Sequence, residues 1–192
     1  MSDQSEIRDL IEGWAIWRDT ADWERLRSAY HEGGQMMTTW FEGSAAEFVD
    51  RSIQAFARGS MSHHVLGGIF IEVAGTRAVA QTRMVLHARA VLDGVECDAA
   101  CTGRFVDLLE KRDGRWGIVL RQPVYEKDRL DPVDPSARLE LDRSVLDRFP
   151  IGYRHLAYLQ TKTGQSVGLG LPGLRGPEIE RLQAKGREWL KG

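Results

Sequence analysis

From residue 62 to residue 127 the apolar residues alternate with a period of two, and two Asp-Gly pairs, Asp93-Gly94 and Asp113-Gly114, punctuate the alternation. Asp and Gly tolerate the positive φ angles that two-residue hairpin turns demand, so each pair is a strong hairpin signal. With Ala74-Gly75 as a third break, the text divides into four long strands, 62–73, 77–92, 95–111 and 115–127. Consecutive strands joined this tightly form an antiparallel meander. Both faces of the meander carry apolar side chains: Met84, Leu86 and Leu92 alternate with Val79, Val85 and Val91. Both faces therefore need cover. Helices before the sheet can cover one; a second subunit is expected on the other.

The residues before the sheet read as helices. Ile7, Leu10, Ile11, Trp14 and Trp17 fall at the three-to-four spacing of one helical face, and cap-type residues interrupt the pattern at 18–22. A second helix is expected over 22–30, ended by Gly33-Gly34, and a short strand over 35–41. Ser44 followed by Glu47 is a capping box and opens a helix that runs to Arg58. After the sheet, 131–135 reads as a rigid loop, with helices over 138–148 and 152–161. A Gly- and Pro-rich loop spans 164–177, and Pro177 is the first residue of a last helix over 177–190. This order gives an α+β fold, a cone-shaped barrel of curved antiparallel sheet wrapped around the N-terminal helices. It comprises a cone domain over 1–130 and a helical and loop extension over 131–192, packed on the same domain or on a neighbouring subunit. A sheet-lined cavity capped by helices is a natural small-molecule site.

Composition removes other classes. The chain has 192 residues, Lys+Arg 26 against Asp+Glu 28, and a net charge of −2. Such a balance lacks the basic stripe that phosphate contacts require, so no nucleic acid is expected as partner. No apolar run approaches the ~18 residues of a membrane span, and the N-terminus is charged from its start, so no membrane and a cytoplasmic location are expected. Cys97 and Cys101 share one strand face, too far apart to bridge, and read as small buried apolar residues. Nothing in the sequence has the ligand spacing of a metal site or the fingerprint of a dinucleotide cofactor, so neither metal nor cofactor is expected. Gly168, Gly170 and Gly173 lack the Lys-Ser/Thr ending of a phosphate loop.

Three stretches carry a resemblance: Ile16-Trp17-Arg18-Asp19 followed by Asp22-Trp23-Glu24-Arg25-Leu26, then Ser62-His63-His64-Val65-Leu66-Gly67-Gly68, then Lys111-Arg112-Asp113-Gly114-Arg115-Trp116. In this element order, over about residues 5–130, the chain resembles the SnoaL-like branch of the nuclear transport factor 2-like superfamily. Its catalytic members include scytalone dehydratase, lindane dehydrochlorinase and bile-acid dehydratase, which eliminate water or halide without metal or organic cofactor. The resemblance implies an Asp-His pair at Asp19 and His64 and an arginine at Arg121. Two positions depart from it. Gly68 stands where the family often has Asn, and Trp14 where the dehydrochlorinase has Lys, so dehydrochlorination is not the expected reaction. The superfamily also holds ligand-binding and assembly modules, so fold does not settle function.

The residues support the same chemistry. A neutral imidazole is a good base near neutral pH, and a carboxylate on its other nitrogen fixes the tautomer. His63 and His64 point to opposite faces of a strand, so only one can line the cavity. His87 reads as structural, and His31 and His155, near helix ends, as solvent-facing. Strand parity puts Arg121 with Gly117 and Val119 on one face and Trp116, Ile118 and Leu120 on the other. On an inner face Arg121 would steady an oxygen that gains charge. Tyr30 and Tyr125 are candidate hydroxyl donors. Trp14 and Trp40 are candidate substrate contacts that favour an aromatic or polycyclic ligand. The expected protein is a cofactor-independent, dehydratase-like lyase and a homo-oligomer, trimer or dimer. Alternatives are a carbon–carbon lyase releasing formaldehyde, a ketosteroid-isomerase-like proton shuttle, and a non-catalytic ligand-binding or assembly module.

Overall fold

The computed structural model describes residues 2–192. Helix α1 (Asp3–Asp19) is capped by Ser2, whose hydroxyl accepts from the Ser5 amide at 3.2 Å. A turn leads to α2 (Trp23–Ser28), capped by Asp22. Strands β1 (Tyr30–Met37) and β2 (Glu42–Ser44) precede α3 (Ala45–Ala57), where Ser44 and Glu47 form the expected capping box. Four long strands follow: β3 (Met61–Ala74), β4 (Arg77–Leu92), β5 (Val95–Arg112) and β6 (Arg115–Pro132). The chain ends in α4 (Arg143–Leu146), α5 (Arg154–Lys162) and α6 (Pro177–Trp189).

The hairpins form where the Asp-Gly pairs stand. Asp93 and Gly94 have φ of 50° and 82°, and Asp113 and Gly114 have 50° and 78°, the double positive φ of a two-residue hairpin. The six strands form one open sheet in the order β2-β1-β6-β5-β4-β3. The sheet does not close on itself. Its concave side is covered by helices, so the cone is a curved sheet rather than a complete barrel. Nor is it antiparallel throughout, because β1 pairs in parallel with β6. Bulges bend the strands. One falls between Leu66 and Ile69, where Gly67-Gly68 interrupts β3, and another lies on β6 opposite Thr102-Gly103, where Glu126 is the extra residue. At Gly103 the approach is close enough that a Cβ would lie 2.0 Å from the Val124 carbonyl oxygen.

A third bulge corrects the parity of β6. Leu109 pairs with Ile118 but Leu108 pairs with Leu120, so Val119 is an extra residue. Trp116 and Ile118 face the inner core, Leu120 faces the opposite side, and Tyr125 is inside again. Arg121, out of phase with Trp116 in simple alternation, thus stacks on the inner-core residue Trp14. Other boundaries also moved. Gly33 does not stop a helix; it takes φ 78° inside β1, between the shifted pairs Tyr30–Ile118 and Gln35–Leu120, and lets the strand start at Tyr30. Asp131 and Pro132, expected in a loop, pair with Asp98 and Cys97 as the end of β6. α4 is held to one turn between its Asp142 cap and Pro150, which disfavours helix at the residue before it.

The inner core packs Ile7, Ile11 and Trp14 of α1, Leu26 and Phe48 against Ala80, Met84, Phe105, Leu109 and Ile118 of the sheet. On the outer face Val79, Val106, Leu108, Leu120 and Val124 are covered by Ile179 and Leu182 of α6. Burying such a side chain is worth about 1.5–3 kcal/mol, so these two contacts pin the last helix. That corrects one expectation: much of the second apolar face is covered by the chain's own C-terminal helix. Cys97 and Cys101 are buried free thiols, and burial pushes the Cys101 thiol well up.

Candidate active site

The concave face of the sheet, α1, α3 and α5 enclose a cavity of about 850 Å³. Its walls mix polar groups with an aromatic and apolar cluster that includes Trp14, Trp40, Phe48, Phe105, Met84 and Leu86. These rings pack on one another, Trp14 against Phe105 at 5.5 Å and Trp40 against Phe48 at 5.8 Å between centroids. From the last segment come Leu156, Leu159 and Gln160 of α5. The extension thus builds part of the wall.

His64 on β3 lines this cavity. Its ring nitrogen Nδ1 is 2.7 Å from Asp19 Oδ1, and its backbone amide donates to Asp19 Oδ2 at 2.6 Å. Asp19, the last residue of α1, is thereby locked to the strand at two points. Both side chains are 10% exposed. Trp14, five residues before Asp19 on the same helix, meets the imidazole edge-on at 5.4 Å. Burial is the main influence on His64 and lowers its pKa; the Asp19 carboxylate opposes it, and the net result is below the ordinary histidine value. The ring is therefore neutral at pH 7, and Asp19 selects the tautomer protonated on Nδ1. This leaves Nε2 unprotonated, with no partner among the described residues. On Asp19 burial pushes the carboxyl up, but the hydrogen bonds and charge of His64 outweigh it and hold the group below its usual range.

The other expected residues divide. Trp14, Trp40 and Tyr125 line the cavity. Tyr125 is 2% exposed, and burial raises its phenol well above the ordinary value, so it is a neutral hydroxyl. Tyr30 does not line the cavity. It lies behind Trp14, whose indole N–H donates to the Tyr30 hydroxyl at 2.9 Å, and serves as that ring's backstop. Arg121 does not line it either. Fully buried, it donates from Nε and Nη2 to the two Asp107 oxygens at 2.7 and 2.8 Å. Its guanidinium stacks on Trp14 at 4.2 Å and on Phe105 at 4.5 Å. The expectation that Arg121 contacts substrate is corrected: it is a cationic plate beneath two wall aromatics.

His63 is 70% exposed, with Nδ1 3.7 Å from Asp19 Oδ2, at the rim. His31 is not solvent-facing: it is 7% exposed and its Nε2 lies 2.8 Å from the Glu110 carbonyl oxygen. His155 is also tied down, with Nδ1 2.9 Å from Asp128 Oδ1. Sequence reasoning passed over Arg18, which is 8% exposed and lines the cavity beside Asp19. Its signal was available, since a residue four after Trp14 on a helix shares that side chain's face. The α5 residues carried no comparable signal.

Residues 1–122 match the family described as a SnoaL-like domain. The chain belongs to the SnoaL-like family. This SnoaL-like protein is 34% identical to pea pathogenicity protein 2 of Fusarium vanettenii over 97% of its own length and 85% of the relative's. It is 32% identical to an uncharacterised protein of Emericella nidulans over 99% of its length and 87% of the relative's. These likenesses run through the C-terminal extension. Among solved structures, a putative scytalone dehydratase from Novosphingobium aromaticivorans superposes with a TM-score of 0.57 at 17% identity, over 72% of this chain and 95% of that one. A hexachlorocyclohexane dehydrochlorinase gives 0.59 at 13% identity, over 71% and 93%. The SnoaL-like protein shares their fold.

Proposed function

We propose that this protein is a cofactor-independent lyase of the dehydratase type, acting on a small aromatic or polycyclic substrate. The observation that carries the reading is the Asp19–His64 contact at 2.7 Å, with His64 in the wall of a cavity that also carries several aromatic rings. His64 Nε2 takes a proton from a carbon next to a carbonyl or aromatic ring. The C–H electron pair forms the new double bond, the bond to the β-hydroxyl breaks, and hydroxide leaves as water with the proton that His64 returns. Asp19 holds the tautomer and stabilises the imidazolium between the two transfers. In this reading the Tyr125 hydroxyl, in the wall of the same cavity, steers the leaving group. The names of the structural neighbours, a putative dehydratase and a dehydrochlorinase, support an elimination. The aromatic wall supports the substrate class through stacking and edge contacts.

The test is a panel of aromatic β-hydroxy compounds followed for the absorbance of a conjugated alkene, with a formaldehyde trap in parallel. Alkene formation lost in His64→Gln supports the reading. Formaldehyde without alkene assigns carbon–carbon cleavage instead. Saturable binding without turnover across the panel points to a ligand-binding module and overturns the enzyme.

A further inference from the structure

The charged groups of the cavity are all of one sign. Its wall contains Arg18, Arg51, Arg58 and Arg89 and not a single Asp or Glu. Arg89 is neutralised by Asp98, with a two-point contact at 2.7 and 2.8 Å. The other three have no ion-pair partner among the described residues. Arg51 on α3 and Arg58, the C-cap of that helix, are exposed and mark the mouth.

Arg18 is the informative one. It is 8% exposed, yet its guanidinium makes no hydrogen bond to any described residue. A guanidinium carries five N–H donors in a planar fork, and burying a cation without a partner is costly. What surrounds it is only partial compensation. It lies 5.8 Å from the Trp23 ring, it sits in the last turn of a helix whose C-terminal dipole favours a cation, and it neighbours Asp19. Asp19 already spends both oxygens on His64. Burial dominates the state of Arg18 and lowers its pKa, the mark of a cation short of compensation. The guanidinium nitrogens of Arg18 keep some accessible surface, whereas on the α5 wall the amide oxygen of Gln160, a residue 7% exposed, is fully buried and has no partner. Both groups line the same aromatic cavity as His64.

We propose that the ligand of this cavity is an aromatic oxyanion, best a carboxylate, received by the fork of Arg18, with Arg51 and Arg58 drawing it to the mouth. A planar carboxylate matches the guanidinium fork with two parallel hydrogen bonds. The unmet Gln160 oxygen accepts from a hydroxyl on the same ligand. The inference concerns the substrate class of the lyase proposed above and rests on that site, but it is tested by binding alone.

The experiment is calorimetric titration of the full chain with 2-naphthoate and, as its neutral isostere, 2-naphthamide. Wild type is expected to bind the carboxylate about 10-fold or more tightly than the amide, as a charge-assisted bidentate contact implies. Arg18→Gln should erase that preference and Arg18→Lys should keep part of it. Arg51→Gln combined with Arg58→Gln should weaken the carboxylate a few-fold, mostly at low salt. His64→Gln should retain the preference, so a failure of the lyase chemistry is distinguishable from a failure here. Equal affinities in wild type, an undiminished preference in a folded Arg18→Gln, or no carboxylate binding up to about 10 mM, a very weak affinity, would each overturn the proposal. Should Arg18→Gln not fold, the wild-type ratio and the mouth double variant decide it.

Discussion

Asp128 grips His155 in the same way that Asp19 grips His64. In each pair one carboxylate oxygen meets the ring Nδ1 and the other accepts the backbone amide of the same histidine, at 2.9 and 2.6 Å for Asp128. The local geometry therefore does not distinguish a base from a strut; the surroundings do. His64 opens on the cavity, whereas His155 sits outside its wall and Asp128 also caps α5 through the Leu156 amide at 2.8 Å. A natural control for the mechanism is built into the molecule.

The first prediction uses that control. His64→Gln should lower kcat by about 10²–10⁴ with little change in binding, the usual value of a positioned general base. Asp19→Asn should cost nearly as much, and the double variant little more than either, because the pair acts as a unit. His155→Gln and His63→Gln should stay within a few-fold. Steady-state kinetics of the five variants check this; equal losses at His64 and His155 would show that the imidazole contribution is structural.

The pH profile follows from the burial of His64. Its pKa lies below the ordinary value of 6.5, so the base remains active at pH 6.5. The acid limb of kcat/KM should fall below that pH, where His64 takes a proton. Stability should follow the same sign. The unfolded chain binds the proton first as pH drops below 6.5, so folding weakens from there downward. Asp19, held low in the folded state, adds a second loss once pH falls below the unfolded carboxylate value of 3.8. An acid limb centred above pH 7 would be incompatible with His64 as the base.

Arg121 and Asp107 should matter for stability rather than for contact with substrate. Both side chains are 0% exposed, so removing either charge leaves the other buried and unpaired. Asp107→Asn should destabilise by about 3–5 kcal/mol, while a double replacement by apolar residues of similar volume should recover much of the loss. Thermal and urea unfolding of the single and double variants would show the difference. An Asp107→Asn protein as stable as wild type would remove the argument.

The sequence was legible where local chemistry decides the outcome. The Asp-Gly turns, the Ser44–Glu47 capping box and Pro177 at the start of α6 all stand where their residues place them. It was less legible where tertiary pairing overrides local pattern. The extra residue Val119 reverses the parity of β6, and nothing in an alternating run marks which residue will bulge. Asp19 and His64, 45 residues apart, were matched through the family pattern, and the fold brings them together. The depth of Arg121 and the retreat of Tyr30 behind Trp14 depend on which aromatic closes over them, which is a packing fact. The cover of the outer face by α6 was missed for a related reason: its apolar residues, Ile179 and Leu182, give a face but no address.

Self-association remains a prediction. β3 is an edge strand of 14 residues, with Val65 46%, Phe70 62% and Val73 37% exposed. A long apolar edge invites pairing with another chain. Light scattering at low micromolar concentration should report a dimer or trimer, and Phe70→Lys should shift it toward monomer. A clean monomer in wild type would refute it.

The last prediction concerns the extension as a wall of the site. Asp128 is 1% exposed and accepts from the His155 and Leu156 amides, so it anchors the N-terminus of α5 to β6. α5 in turn carries Leu156, Leu159 and Gln160 into the cavity. Asp128→Ala removes a cap, worth about 0.5–2 kcal/mol, and frees the first turn of α5. Amide hydrogen exchange should rise over Arg154–Lys162 while β4 and β5 stay protected. Ligand affinity should fall several-fold, because three wall residues lose their fixed places. The Asp19–His64 pair lies on other elements and should be unaffected, so kcat should fall less than binding. Unchanged exchange in α5 would show that packing of Leu156 alone holds it, and unchanged affinity would show that the extension does not shape the site.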